Sequence, residues 1–493
     1  MLFRSDLSLK YNMYGSSSSF EANNGYAPGQ YAISWLGVFD EKYDVYDQLG
    51  KISPIFATPG NIHIQDFIII SPRTNFTDND PLKEAVLKYG GLCVNYYAIT
   101  SGPEQYYNGT ATINHAVTLV GWDDNKEIAG APDKGAWLVK NSWGKQACDN
   151  GYLYISYYDT SFSTVTLSFA YSVENTVNYN MNYQYDIQGS PDFMTYATEY
   201  RNHYQAIEDD LIAGIGTYLD DPAKNYTVEI YVNDVLRLVQ NGVSPFAGFH
   251  TIKLDSYVPI KEGDIFTVKI TSSMVPALTA TRQHFISGVS EYFYNGTWID
   301  SASQNKVCAI KAYTVADDTK IINNTNITVD YAGGSYFSVK VVRDDGHEVC
   351  AGEVVTFTIN NVTYNITTDE NSTAKLEIID SPGEYTIVTE YNGKIYQNTV
   401  TVNNVLTATK ATIKKSTAKN LVLAAKLKIN GKNVKGKWIK FKLNGKKYYA
   451  KTNKYGTAKI ILGKDAINNL NKGIYKVKVF FANSMIKTKV KVK

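Results

Sequence analysis

Apolar and polar positions follow two periods along this chain, a helical one in a single early stretch and a strand-like one over most of the rest. Asp80 and Pro81 read as the cap and first turn of a helix, with Leu82, Ala85, Val86 and Tyr89 at helical spacing and Gly90 as the stop. The strand 92–99 follows at once. Two further apolar runs, 115–122 and 136–140, read as buried neighbouring strands, and the segments that carry them each close on Gly and Trp. Between about Asn180 and Val315 the runs 226–232 and 264–270 alternate cleanly, and Glu262-Gly263 and Asn295-Gly296 supply turns, so this stretch is expected to be all-β. Beyond it the chain repeats. Gly352, Phe357, Asn360, Tyr364, Thr368, Ala374 and Lys375 recur 84 positions later as Gly436, Phe441, Asn444, Tyr448, Thr452, Ala458 and Lys459. Short strands at that turn spacing predict two small β-sandwiches.

Length and charge change this picture in two ways. A chain of 493 residues has room for three or four domains, each with its own core. Its net charge of +2 conceals a strong asymmetry. From Val405 onward there are 24 lysines, no arginine and one acid, Asp465, a net of +23; the residues before it hold 25 bases against 46 acids, a net of −21. Such an end module is expected to meet an anionic partner. Nucleic acid is not the expected one, because arginine, the usual reader of phosphate and base edges, is absent from it.

The candidate chemistry lies on the two paired strands. His115 and Asn141 each stand at the edge of an apolar run, and an imidazole that takes a thiol proton, with a second group holding the ring, is two thirds of a cysteine-peptidase triad. The segments Asn114-His115-Ala116-Val117-Thr118-Leu119-Val120-Gly121-Trp122, Lys140-Asn141-Ser142-Trp143-Gly144 and Gly151-Tyr152-Leu153-Tyr154-Ile155 resemble the papain family of cysteine peptidases over roughly the first third of the chain. The resemblance implies an α+β papain-like domain in which His115 is the catalytic base, Asn141 its orienter and Trp143 the indole that covers their contact. It also implies that Asn95 borders the pocket for the substrate's second side chain.

The family's Gln…Cys-Gly-Ser-Cys-Trp signature is not found in these residues. None of the four cysteines replaces it. Cys93 reads as a buried strand thiol, Cys148 lies in the loop after the tryptophan motif, and Cys308 and Cys350 fall in later domains. Tyr11-Asn12-Met13-Tyr14-Gly15 and Gly25-Tyr26-Ala27-Pro28-Gly29-Gln30 resemble the stretch that follows the family's catalytic helix, so the chain is expected to start inside the domain, truncated and inactive as given.

The other expectations follow from the remaining segments. No metal spacing or competing catalytic constellation joins His63, His115, His203, His250, His284 and His347, and no cofactor is expected. Asp123-Asp124, Asp209-Asp210 and Asp220-Asp221 read as loop charges, and Gly214-Ile215-Gly216 as strand or turn. The all-β stretch resembles the lectin-like sandwich that follows the catalytic domain in one papain subgroup, which makes carbohydrate a candidate ligand; Tyr292, Tyr294 and Trp298 are read as packing residues. The repeats resemble the immunoglobulin-like domains of prokaryotic surface adhesins. The expected order is a papain-like peptidase domain at 1–175 lacking its cysteine helix, a lectin-like β-sandwich at 180–316, an immunoglobulin-like domain at 320–404 and a lysine-rich one at 405–493. The function implied is proteolysis of a protein or peptide substrate by a secreted or surface protein. The alternative is a surface adhesin or wall-binding protein with a pseudo-peptidase lobe. An anionic cell-wall polymer is the partner expected at 405–493. No signal peptide or membrane-spanning stretch is read in the chain, and an extracellular or cell-surface location rests on the domain types and, more weakly, on sequons such as Asn75 and Asn225.

Overall fold

The computed structural model describes residues 33–35, 63–174, 179–186, 191–278 and 285–493. The segments 11–15 and 25–30, and His284, lie outside them. The chain divides into two compact units, residues 1–317 and 318–493.

In the first unit, strand β1 (His63–Ile70) precedes helix α1 (Asp80–Tyr89), and β2 (Leu92–Tyr96), β3 (Glu104–Gln105), β4 (His115–Asp123), β5 (Ala136–Lys140), β6 (Tyr152–Ser156), β7 (Ser168–Glu174) and β8 (Met181–Gln184) follow. The predicted helix forms, one residue displaced at its start: Asn79 is the cap, Asp80 opens the first turn, and Gly90 closes the last at φ 83°. Leu82 and Ala85 are its buried face, packed with Leu92, Val94, Leu119, Trp137 and Val139 of the sheet. The predicted strand after it is shorter than the sequence implies, since regular pairing ends at Tyr96.

All seven strands of this region join one sheet in the order β3-β6-β5-β4-β2-β7-β1, which continues without interruption through Ala247–Ile260, Asp210–Leu219, Ile310–Ala316 and β8. The link is β1, hydrogen-bonded to β7 on one side and, through Phe67 to Ile69, to Ala247–Phe249 on the other. Gly248 allows this approach: at φ 128° it lies where a Cβ would stand 2.1 Å from the Phe67 carbonyl oxygen. The alternating runs read between 180 and 316 pair in a second sheet of six strands, where Asn225–Val232 and Glu199–Gln205 flank Ile265–Thr271. Gly214 and Gly216 lie in the buried strand Asp210–Leu219.

The second unit repeats a two-sheet pattern. In the first copy, Lys320–Ile322, Tyr336–Val342 and Thr373–Glu377 form a three-stranded sheet, and Ile327–Asp330, Lys394–Asn403, Gly383–Tyr391, Val354–Ile359 and Val362–Thr367 form a five-stranded one. Phe337 and Phe357 meet edge to face between them, at 5.9 Å. In the second copy the five-stranded sheet runs Ala411–Ile413, Ser484–Val492, Gly473–Phe481, Trp438–Leu443 and Lys446–Lys451. The repeated residues explain themselves. Thr368 and Thr452 are buried, and the hydroxyl of each accepts the amide hydrogen of Glu353 or Lys437, 3.0 Å in both copies. Asn360-Asn361 and Asn444-Gly445 occupy the left-handed turn positions of equivalent hairpins.

Candidate active site

β4 begins at His115 and β5 ends one residue before Asn141, so two adjacent strands deliver both side chains to one corner of the sheet. His115 Nε2 lies 2.9 Å from Asn141 Oδ1. A carbonyl oxygen only accepts, so Nε2 carries the proton and Nδ1 is left with a lone pair. The orientation of the amide is fixed from both ends. Its oxygen also accepts the Ser142 amide hydrogen at 2.7 Å, and its nitrogen donates to Cys148 Sγ at 3.6 Å. The Asn141 backbone N–H is held by the Gly151 carbonyl at 2.8 Å, and the residue is 7% exposed. Trp143 stacks on His115 with ring centroids 4.5 Å apart and planes 21° from parallel. Trp143 remains 44% exposed, so its indole lies between the imidazole and solvent. Tyr96, directly opposite His115 in the register, is buried beneath it.

Cys148, in the loop after the tryptophan motif, places its sulfur at the nitrogen end of the Asn141 amide, and its own backbone is held in a left-handed turn at φ 56° by the Ser101 carbonyl. The other thiols are remote in character. Cys93 lies on β2, where burial pushes its thiol up to about 11, and Cys308 and Cys350 are buried far along the chain. Among the described residues no sulfur hydrogen-bonds His115.

Asn95 stands one residue before Tyr96, opposite Ala116, and so on the sheet face away from His115. A cleft of about 390 Å³ runs along that face past Cys93, Ala116, Thr118 and Tyr152. Asn95 does not line it; its amide donates to Thr166 Oγ1 at 3.2 Å.

The same lobe buries two charged residue types, Arg73 and Asp159, that periodicity gave no means of finding. Arg73 donates to the carbonyls of Tyr157, Phe76 and Phe162 at 2.8, 3.1 and 3.4 Å, with Trp137 beneath it, and burial lowers its pKa to about 10. Asp159 is fully buried and accepts from Gln105, Tyr107 and Ser161. Among the described residues no group of three or more His, Cys, Asp or Glu could hold a metal ion. In the following sheet Tyr292 is a core residue, and Trp298 lies under the Arg201 guanidinium at 4.0 Å, as the packing reading expected.

A histidine and an asparagine are thus paired on adjacent strands under a tryptophan. Residues 57–180 match the papain family cysteine protease and residues 182–314 the lectin like domain, so the chain carries a papain-family peptidase domain followed by a lectin-like domain. It is similar to cathepsin S of Mus musculus, 40% identical over 86 residues that make up 16% of this chain and 23% of that protein, so it spans about a quarter of that relative's length. Among solved structures it resembles the clostridial cysteine protease Cwp84 after propeptide cleavage, with TM-score 0.53 and 22% identity over 64% of this chain and 88% of that one. It also resembles the cysteine protease and lectin-like domains of Cwp84, a surface layer associated protein of Clostridium difficile, with TM-score 0.50 and 22% identity over 59% and 73% of the two chains. At that identity the likeness is one of fold.

Proposed function

We propose that residues 63–174 are the base-bearing part of a papain-type peptidase that cleaves a protein or peptide substrate by acyl transfer. The observation that carries the reading is the 2.9 Å contact of His115 Nε2 with Asn141 Oδ1. With Nε2–H donated, Nδ1 is the atom that takes the proton of a cysteine thiol. The thiolate then attacks the substrate carbonyl carbon, His115 returns the proton to the leaving amine, and a water activated at the same nitrogen hydrolyses the thioester. Asn141 keeps the ring in the productive tautomer throughout, and Trp143 shields that contact. Backbone donors stabilise the oxyanion. Asn95 has its amide engaged by Thr166 Oγ1 and takes no part in these steps.

We infer that the chain as given is inactive, since its four cysteines are Cys93, Cys148, Cys308 and Cys350 and none hydrogen-bonds His115. A fluorogenic peptide library tests this: no turnover is expected, and hydrolysis that disappears in His115→Ala overturns it. The same missing thiol favours the second reading, a surface adhesin or wall-binding protein with a pseudo-peptidase lobe. Both readings share a location. A fold like that of a surface-layer protein, a lectin-like domain that offers carbohydrate binding and two sandwiches of immunoglobulin-like type at 320–404 and 405–493 support attachment at the cell surface, with the lysine-rich module lying on an anionic wall polymer.

A further inference from the structure

The lysines of the last module are sorted by the pleat onto one sheet. In the strands Gly473–Phe481 and Ser484–Val492 they alternate with buried valines, so Lys476, Lys478, Lys487 and Lys489 all face outward. The register lines them up. Lys447 is opposite Lys442, Lys442 opposite Lys478, and Lys478 opposite Lys487, one unbroken row across four strands. Neighbouring strands lie about 4.8 Å apart, and like charges directly opposite destabilise a sheet. None of these lysines has a carboxylate within 4.0 Å among the described residues. Beside the row stand aromatic rings that face outward as well. Trp438 and Tyr449 are 59% and 55% exposed. Lys451 Nζ lies 5.0 Å from the Trp438 ring, and Lys440 Nζ lies 4.2 Å from that of Phe480.

The fold does not require this face, because the preceding module builds the same sheet without it. Its strands Val354–Ile359 and Val362–Thr367 keep the register of Trp438–Leu443 and Lys446–Lys451 at a spacing of 84, and Gly383–Tyr391 with Lys394–Asn403 match the last hairpin at a spacing of 90. Where the last module has Lys442 and Lys447, the first has Thr358 and Thr363, whose hydroxyls hydrogen-bond each other at 2.9 Å. Lys478 and Lys487 correspond to Val388 and Gln397, and the exposed Trp438 and Tyr449 to Val354 and Asn365. At the positions of the row one module therefore has a hydroxyl pair and no lysine. The other stacks unpaired cations beside exposed rings.

We propose that this outer face, centred on the Lys447–Lys442–Lys478–Lys487 row with Trp438 and Tyr449, is a docking surface for a linear acidic polysaccharide. The lysines meet the repeating anionic groups as mobile point charges, and the rings stack on sugar faces, which a purely ionic polymer lacks. This rests on the reading of the module as a surface attachment and names the face and the ligand chemistry. The test uses the full chain and polygalacturonate as probe, with poly-L-glutamate of equal charge, neutral dextran and single-stranded poly(dT) as comparators, by calorimetry across a salt series. Binding to polygalacturonate is expected to exceed that to poly-L-glutamate and to fall steeply with salt. Replacing the row by its counterparts in the sibling module, Lys442→Thr, Lys447→Thr, Lys478→Val and Lys487→Gln, is expected to weaken binding at least about tenfold, and Trp438→Ala alone roughly threefold. The sibling residues suit the fold, and an unchanged melting transition verifies it. Equal binding of poly-L-glutamate, or tighter binding of poly(dT), overturns the polysaccharide assignment. Binding by the natural chain that survives the fourfold replacement overturns the face alone. Absence of binding by the natural chain overturns the face together with the attachment reading.

Discussion

Lys311 in the first unit and Lys478 in the last module are the same side chain under opposite constraints. Lys311 is wholly buried, and its Nζ reaches the Asp186 carboxylate at 3.0 Å, the Asp186 carbonyl at 3.0 Å and Gln184 Oε1 at 2.7 Å. Even so, burial lowers its pKa and raises that of Asp186 to about 6, so desolvation outweighs attraction on both sides of the pair. Lys478 is exposed and faces other lysines. The His115–Asn141 corner follows the interior pattern, with both ends of the Asn141 amide engaged. Inside the first unit, then, a polar group's role is set by neighbours already in place. On the lysine face no carboxylate of the described residues lies within 4.0 Å of the row.

If that contrast is right, interior changes act singly and strongly. Lys311→Met should cost about 3–5 kcal/mol of first-unit stability by leaving Asp186 buried without its cation, and adding Asp186→Leu should recover most of it, as denaturant unfolding would measure. A silent Lys311→Met would break the comparison at its strongest point. Acid should act next. His63 stacks on Trp35 at 3.8 Å, and burial lowers its pKa to about 4, so the unfolded chain takes up this proton first as pH falls. Stability present above pH 6.5 is therefore lost between about 6.5 and 4, by roughly 1–3 kcal/mol after allowance for partial exposure. The difference between the natural chain and His63→Phe across that window isolates the effect. Asn141→Ala should cost about 1–3 kcal/mol, and ring ¹⁵N shifts should report a mixture of His115 tautomers in place of the Nε2–H form. A ring that keeps one tautomer in the variant would show that Asn141 does not orient it.

His115 and Asn141 were legible because each sits at the edge of a strand whose apolar run fixes where it ends, and Trp143 only through the resemblance of Lys140-Asn141-Ser142-Trp143-Gly144. Cys148 was not, because the left-handed turn that brings its sulfur to Asn141 exists only once Ser101 and Gly151 are in place. Arg73 and Asp159 escaped for a related reason: charged loop residues read as solvated, and only the folded lobe shows them buried among carbonyls and amides. The 84-residue repeat disclosed the hairpins through their Asn turns and buried threonines. It did not disclose that β1 hydrogen-bonds Ala247–Phe249, a pairing across some 180 positions that makes one sheet of the peptidase and lectin-like segments. The sorting of lysines was present in the sequence as a period-two pattern at 476–478 and 487–491, which a net charge does not express.

The lysine face should respond weakly to any single change and in the opposite direction from the interior. Lys442→Thr removes a charge opposed by Lys447 on one side and Lys478 on the other, and leaves no buried group unpaired. It is therefore expected to stabilise the last module by a few tenths of a kcal/mol at low salt. The gain should shrink as added salt screens the row. Thr358→Lys in the sibling module is the reciprocal change, and it breaks the 2.9 Å hydroxyl contact with Thr363 while placing a cation opposite Val388 and diagonal to the exposed Glu390. With no lysine to oppose it, it should not carry the low-salt penalty of the row. A Lys442→Thr variant whose stability difference from the natural chain is the same at low and high salt would mean that the lysines of the row do not interact, and the distinction between the two faces would fail at its physical root.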